Sequence, residues 1–100
     1  MKFCPVCGYD DHVYPPYDED INPSYDICSC CGFQFGVDDD VEMEDGVFME
    51  KKDTHTQFRN NWIDNGAIVF SESYPKKFQK EGKVAGEYLF KQLQNINVKQ

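Results

Sequence analysis

Five cysteines are the residues best equipped for chemistry, and four of them fall into a repeat. Cys4-Pro5-Val6-Cys7-Gly8 aligns with Cys28-Ser29-Cys30-Cys31-Gly32; each reads C-x-x-C-G, and each is followed by an aromatic residue, Tyr9 or Phe33. Twenty residues separate the two pairs, at the edge of the spacing that four-cysteine zinc sites use. Two residues between cysteines make a tight turn that points both sulfurs at one ion, and Pro5 presets the backbone angle of that turn. Glycine after the second cysteine accepts a positive φ, which lets the backbone bend around the ion and aim N–H groups at thiolates. Two facing knuckles supply four sulfurs, a set suited to tetrahedral zinc with bonds of about 2.3 Å. The reading is one structural Zn2+ per chain held by Cys4, Cys7, Cys28 and Cys31, with no catalytic residue.

Cys30 is the surplus thiol. It aligns with Val6, a non-ligand, and adjacent cysteines rarely both reach one tetrahedral ion. It is read as a small residue in a turn; redox sensing and ligand exchange with Cys31 are the alternatives. The same four sulfurs also suit iron. The paired knuckles and their flanking aromatics resemble rubredoxin, and that resemblance implies an iron electron carrier as the alternative function. It does not extend to the second half of the chain.

Charge divides the sequence. Residues 1–50 hold thirteen acidic residues and one basic, whereas residues 51–100 hold five acidic and nine basic. A Cys4 zinc centre adds a formal −2 to the acidic half. The division suits solvation and attraction between the halves; its functional counterpart is an acidic face for a basic protein partner. Nucleic acid is disfavoured as a partner because the acidic half repels phosphates. The longest apolar run, Ala67 to Phe70, is four residues, so no membrane span is expected. Without an apolar stretch behind Lys2 no signal peptide is expected, and cysteines in a reducing, cytoplasmic setting read as metal ligands before disulfides.

These ligands need elements to position them. Residues 1–9 read as strand, turn and return, and 10–24 as an extended, proline-containing loop. Residues 25–37 alternate with period two, Tyr25 and Ile27 going in and Phe33, Phe35 and Val37 coming out, which predicts a β-hairpin. Residues 38–50 read as an acidic connector. Thr54 to Gln57 fits a capping box opening a helix that buries Phe58, Trp62 and Ile63 and stops at Asn65-Gly66. Pro75 opens a short turn through Phe78. From Lys83 onward, Val84, Ala85, Tyr88, Leu89, Leu93 and Ile96 keep helical spacing. The expected fold is α+β: one domain over 1–100, with a zinc ribbon at 1–37, the connector at 38–50, and two or three helices within 51–100 packed against the ribbon.

Other residues carry weaker chemistry. His12 and His55 are the only histidines, and four sulfurs leave no need for either. His55 sits one turn from Arg59 and reads as a surface pair. Asp38 to Asp45 lacks the spacing of a calcium loop and reads as solvated. Arg59, Lys76, Lys77, Lys80 and Lys83 form a modest basic patch. Tyr14 and Tyr17 are candidate exposed contacts. No nucleophile–base–orienter set and no phosphate-cradling loop is present.

The stretch Ser24-Tyr25-Asp26-Ile27-Cys28-Ser29-Cys30-Cys31-Gly32-Phe33-Gln34-Phe35-Gly36, followed by Asp38-Asp39-Asp40, resembles small bacterial cysteine-rich proteins of the CPCC type. Phe58-Arg59-Asn60-Asn61-Trp62-Ile63, Gly66 and Gln92-Leu93-Gln94-Asn95-Ile96 continue it, and Ser29 stands where that pattern often has proline. The resemblance implies metal binding and no particular activity. Taken together, the expectation is a non-enzymatic, zinc-binding interaction module, one version being an immunity-type or antitoxin-type inhibitor of a basic, nuclease-like partner.

Overall fold

The structure is a computed structural model that describes residues 3–10 and 14–98. His12 and the Met1-Lys2 start of the expected first strand lie outside these residues. The elements in order are β1 (Glu42–Glu44), β2 (Val47–Phe48), α1 (Lys51–Asp64), a 3-10 turn at Lys76–Phe78, β3 (Gln79–Lys80), β4 (Lys83–Val84) and α2 (Gly86–Asn95). Two small antiparallel sheets, β1-β2 and β3-β4, accompany the two helices, so the class is α+β as expected.

The knuckle-bearing third of the chain is mostly turns. The hairpin expected over 25–37 shrinks to one antiparallel bridge, Ile27 with Gln34. Tyr25 adopts a left-handed φ of 64°, which breaks the strand on the incoming side. Its alternation is half realised: Phe33 and Phe35 are fully buried, but Tyr25, Ile27 and Val37 are exposed.

The acidic stretch read as a connector contains the β1-β2 hairpin, with Glu42 opposite Phe48 and Glu44 opposite Val47. Asp45-Gly46 makes the turn, with Gly46 at φ 74°, the left-handed geometry that short hairpin turns require. The hairpin delivers the chain to α1 at Glu50, so the helix starts three residues before the expected capping box. Thr54 is buried inside α1, where its hydroxyl donates to the Lys51 carbonyl at 2.7 Å rather than capping the helix. The far end agrees with expectation: Asn65 is the C-cap, and Gly66 takes φ 100°.

The expected helix from Lys83 begins later. Lys83 and Val84 are β4, paired with β3 around a Glu81-Gly82 turn in which both residues have positive φ. Ile68 bridges to Lys83, and the Val84 N–H donates to the Ala67 carbonyl at 3.0 Å. Pairing on both sides holds this stretch extended, and α2 starts at Gly86. Pro75 does precede a 3-10 turn ending at Phe78.

The core joins the cysteine-bearing part to both helices. Phe33 packs edge-on to Phe58 of α1 at 5.0 Å between ring centroids. Tyr9 packs on Tyr74 at 4.9 Å. Thus the aromatic after each knuckle glycine anchors its knuckle to the second half of the chain.

Candidate metal centre

The two knuckles have matching backbones. The Cys4 N–H donates to the Tyr9 carbonyl and the Cys28 N–H to the Phe33 carbonyl, both at 2.9 Å. The Gly8 N–H donates to the Cys4 carbonyl at 2.7 Å and the Gly32 N–H to the Cys28 carbonyl at 2.9 Å. Each knuckle is closed by a bridge between the residue before its first cysteine and the residue after its aromatic, Phe3 with Asp10 and Ile27 with Gln34. Gly8 and Gly32 have φ of 78° and 84°, the left-handed backbone the sequence pattern called for. Gly8 is needed for a second reason: a Cβ there would lie 1.7 Å from the Gln92 carbonyl oxygen of α2.

The sulfurs converge. Sγ atoms of Cys4, Cys7, Cys28 and Cys31 all lie within 4.8 Å of one another, every one buried. Cys4 and Cys31 approach to 3.8 Å, and Cys7 and Cys28 to 3.7 Å. A tetrahedron built on metal–sulfur bonds of about 2.3 Å has edges of about 3.8 Å, so both approaches match a four-sulfur metal shell. None of the five cysteines is in a disulfide. Burial pushes the Cys7 and Cys31 thiols well above their ordinary range, and the neighbouring Cys28 and Cys4 sulfurs push the same way. Such a pocket keeps its protons unless a cation offsets the thiolate charge, which is what a bound metal does.

The second half of the chain holds the first knuckle by its carbonyls. Arg59 of α1 donates from Nη2 to Pro5 O at 2.9 Å and from Nε to Val6 O at 2.6 Å. Gln92 of α2 donates to Cys7 O at 3.1 Å, and Asn95 of α2 donates to Gly8 O at 3.0 Å. Four consecutive carbonyls, residues 5 to 8, are therefore taken by side chains from two helices. The second knuckle is held by backbone instead: Phe70 N–H donates to Cys30 O at 3.0 Å and Ser71 N–H to Ser29 O at 2.9 Å. Sequence reasoning missed these supports. Arg59 is only 8% exposed, so it belongs to neither a surface pair nor a basic patch. Burial disfavours its charge, while the nearby Cys4, Cys7 and Cys31 sulfurs favour it.

Cys30 is fully buried beside the set without joining it. Gln92 Nε2 lies 3.5 Å from its Sγ, and Gln92 Oε1 accepts from the Tyr74 hydroxyl at 2.5 Å. Burial, followed by the charges of Cys30 and Cys7, pushes the Tyr74 phenol up, so Tyr74 remains a donor. A Tyr74–Gln92 pair therefore braces the non-ligand thiol and the Cys7 carbonyl together.

His55 is buried and Tyr17 is half-buried. The Tyr17 hydroxyl bonds to Asp39 Oδ2 and lies 3.0 Å from His55 Nε2. The Gly36 N–H donates to the same carboxylate at 3.1 Å. The phenol O–H donates to the Asp39 carboxylate, which leaves the phenol oxygen to accept from His55 in its Nε2–H tautomer. Burial lowers the His55 pKa to about 4, with Asp39 opposing and Arg59 and Lys51 assisting, so the ring is neutral at pH 7. Tyr17 is accordingly a tether between the proline loop and α1, while Tyr14 is 65% exposed.

No protein-family model matches the chain, and no solved structure matches it. Two proteins of Bacillus subtilis (strain 168) are similar to it. The uncharacterised protein YoaQ is 28% identical over 101 residues, covering 95% of this chain and 86% of the relative. The uncharacterised protein YozI is 29% identical over 102 residues, covering 95% of this chain and 84% of the relative. The similarity spans both the cysteine-bearing and the helical halves. That breadth suits a molecule in which helix side chains hold a knuckle.

Proposed function

We propose that this protein is a non-enzymatic zinc-binding interaction module in which Cys4, Cys7, Cys28 and Cys31 hold one structural Zn2+. The observation that carries this reading is the buried set of four sulfurs with closest approaches of 3.7 and 3.8 Å. Four protein ligands complete a tetrahedral shell, and a completed shell has no position for substrate, which separates structural from catalytic zinc. The resemblance to CPCC-type proteins supports the same ligand set. No helix of the described residues is long and apolar enough to cross a membrane, and cytoplasmic residence belongs to the proposal.

The test is elemental analysis with native mass spectrometry on freshly purified protein. One zinc per chain, lost on Cys4→Ser, is the expected result. Stoichiometric iron, with a red colour bleached by reduction, replaces this reading with the rubredoxin-like electron carrier. Absence of any bound metal refutes both.

A further inference from the structure

The β1-β2 hairpin carries apolar side chains that the protein does not cover. Met43, Val47 and Phe48 are 62%, 52% and 53% exposed, and none belongs to the core. A two-stranded hairpin is marginally stable in water by itself, so leaving its apolar residues uncovered has a cost. Between the hairpin and α1 lies an open cleft of about 680 Å³, with Met43, Phe48 and Met49 as its apolar lining and Glu50, Asp53 and Gln57 among its polar groups. Met43 and Met49 are the only methionines besides Met1. Methionine is unbranched and polarizable, and it suits a surface that must conform to a partner.

Charge selects the occupant. Residues 40–53 expose six carboxylates, Asp40, Glu42, Glu44, Asp45, Glu50 and Asp53, and two lysines. One of those lysines, Lys52, lies in the cleft wall, 3.6 Å from Glu50. An apolar floor in an acidic surround complements a helix with an apolar stripe flanked by cations. We infer that the cleft between the β1-β2 hairpin and α1 is a docking groove for a cationic amphipathic helix of a partner protein. This rests on the interaction-module reading and names its working surface. That surface is formed by the hairpin and α1 rather than by the metal knuckles, so the metal has a structural part and no direct contact with the partner.

The test uses zinc-loaded, full-length protein with methyl-labelled methionine, titrated with a synthetic Leu/Lys amphipathic helix of about 14 residues, roughly 21 Å long. Saturable shifts of the Met43 and Met49 methyl signals are expected, with Kd in the range of roughly 1–50 µM. Met43→Ser and Phe48→Ser are each expected to weaken binding about tenfold, equivalent to about 1.4 kcal/mol, as truncation of an anchor buried on binding does. Glu50→Gln with Asp53→Asn is expected to lower affinity and flatten its salt dependence. These substitutions replace exposed side chains, and zinc content and thermal midpoint verify folding in each. Equal affinity for an oligolysine of the same length, or unchanged affinity in Met43→Ser and Phe48→Ser, overturns the groove in favour of plain charge attraction. Shifts of the same methyls on raising protein concentration alone assign the groove to a second copy of the chain and overturn the proposal. Zinc-loaded protein that fails to bind the peptide refutes the groove alone; protein without metal refutes the reading beneath it.

Discussion

Arg59→Ala is the perturbation that best separates a metal site held by its own turns from one held by the helices. Arg59 spans from α1 to Pro5 O at 2.9 Å and Val6 O at 2.6 Å. Both acceptors lie between ligands Cys4 and Cys7, so they belong to the turn that aims those sulfurs. A hydrogen bond from a charged donor contributes about 1.5–3 kcal/mol net, and removing the donor leaves buried carbonyls unsatisfied. Two such bonds sharing one side chain are not additive, so the expected loss is about 3 kcal/mol. A domain of this size has about 5–15 kcal/mol to lose, and each kcal/mol moves its thermal midpoint by about 4–8 °C. The zinc-loaded variant is therefore expected to melt roughly 12 °C or more below the parent. Its charge adds a separate effect. Four thiolates and one dication sum to a formal −2, which the guanidinium partly offsets, so the variant is also expected to lose zinc to a chelating dye more readily. Arg59→Lys keeps the cation but lacks the planar pair of donors, and it is expected to recover more of the chelator resistance than of the melting temperature. The assay is calorimetry on zinc-loaded protein beside competition with a colorimetric chelator. An Arg59→Ala protein within about 1 kcal/mol of the parent and equally resistant to the chelator would show that the knuckles need no support from α1.

Three further outcomes follow from the same geometry. Cys31→Ser is expected to abolish stoichiometric metal binding, whereas Cys30→Ser retains one metal per chain at a cost of about 1 kcal/mol for the altered contact with Gln92; native mass spectrometry with chemical denaturation checks both, and equal loss of metal refutes the ligand assignment. Gly8→Ala combines a left-handed φ with a Cβ driven into the α2 backbone, so it is expected to yield no folded, metal-loaded protein; a cooperative melt near that of the parent contradicts the packing. His55 is neutral in the fold, with its pKa lowered from 6.5 to about 4. The unfolded chain takes up a proton in that window that the native one does not, so stability is fully present above about pH 6.5 and falls as the pH drops toward 4. Acid also strips zinc from thiolates, so the readout is denaturation across pH 4–7 for parent and His55→Gln, and the variant must lose part of the slope.

The clustering of the four cysteines was legible because a duplicated C-x-x-C-G knuckle is a local instruction: spacing, glycine and aromatic all act within six residues. The helices around Phe58-Trp62 and Leu89-Leu93 were legible from their apolar spacing. Their starts were not. Thr54 reads as a cap by residue type, but the preceding Asp45-Gly46 hairpin already delivers the chain to Glu50. Val84 reads as helical by period, but pairing with Ala67 and β3 holds it extended. Asp45-Gly46, set between Met43 and Val47, was a hairpin signal obscured by the surrounding charge. The least legible features are Arg59, Gln92 and Asn95, whose acceptors lie 53 to 87 residues away in sequence. No local pattern encodes a side chain whose purpose is to satisfy a distant carbonyl.

Those distant bonds bear on why a short four-cysteine unit carries so much additional chain. The carbonyls of the first knuckle from Pro5 to Gly8 accept from side chains outside the knuckle. Carbonyls withdrawn from water must meet a donor, and Val6, Cys7 and Gly8 are buried while Pro5 is half-buried. Here α1 and α2 supply donors to all four carbonyls from Pro5 to Gly8, and the strand-like Phe70-Ser71 segment supplies two more to Ser29 and Cys30. On the proposed function a metal draws the knuckles together from inside, and the second half of the chain fixes their outer surface. Helix docking alone leaves the four clustered sulfurs without a cation to offset thiolate charge, and a metal alone leaves the carbonyls without their helix donors. The proposed function therefore predicts that metal loading and docking of the helices are coupled. Removing zinc with a chelator is expected to loosen α2 as well as the knuckles, seen as loss of hydrogen-exchange protection along Gly86–Asn95. Full protection of α2 in metal-free protein would break that coupling and leave the helices as an independent folding unit.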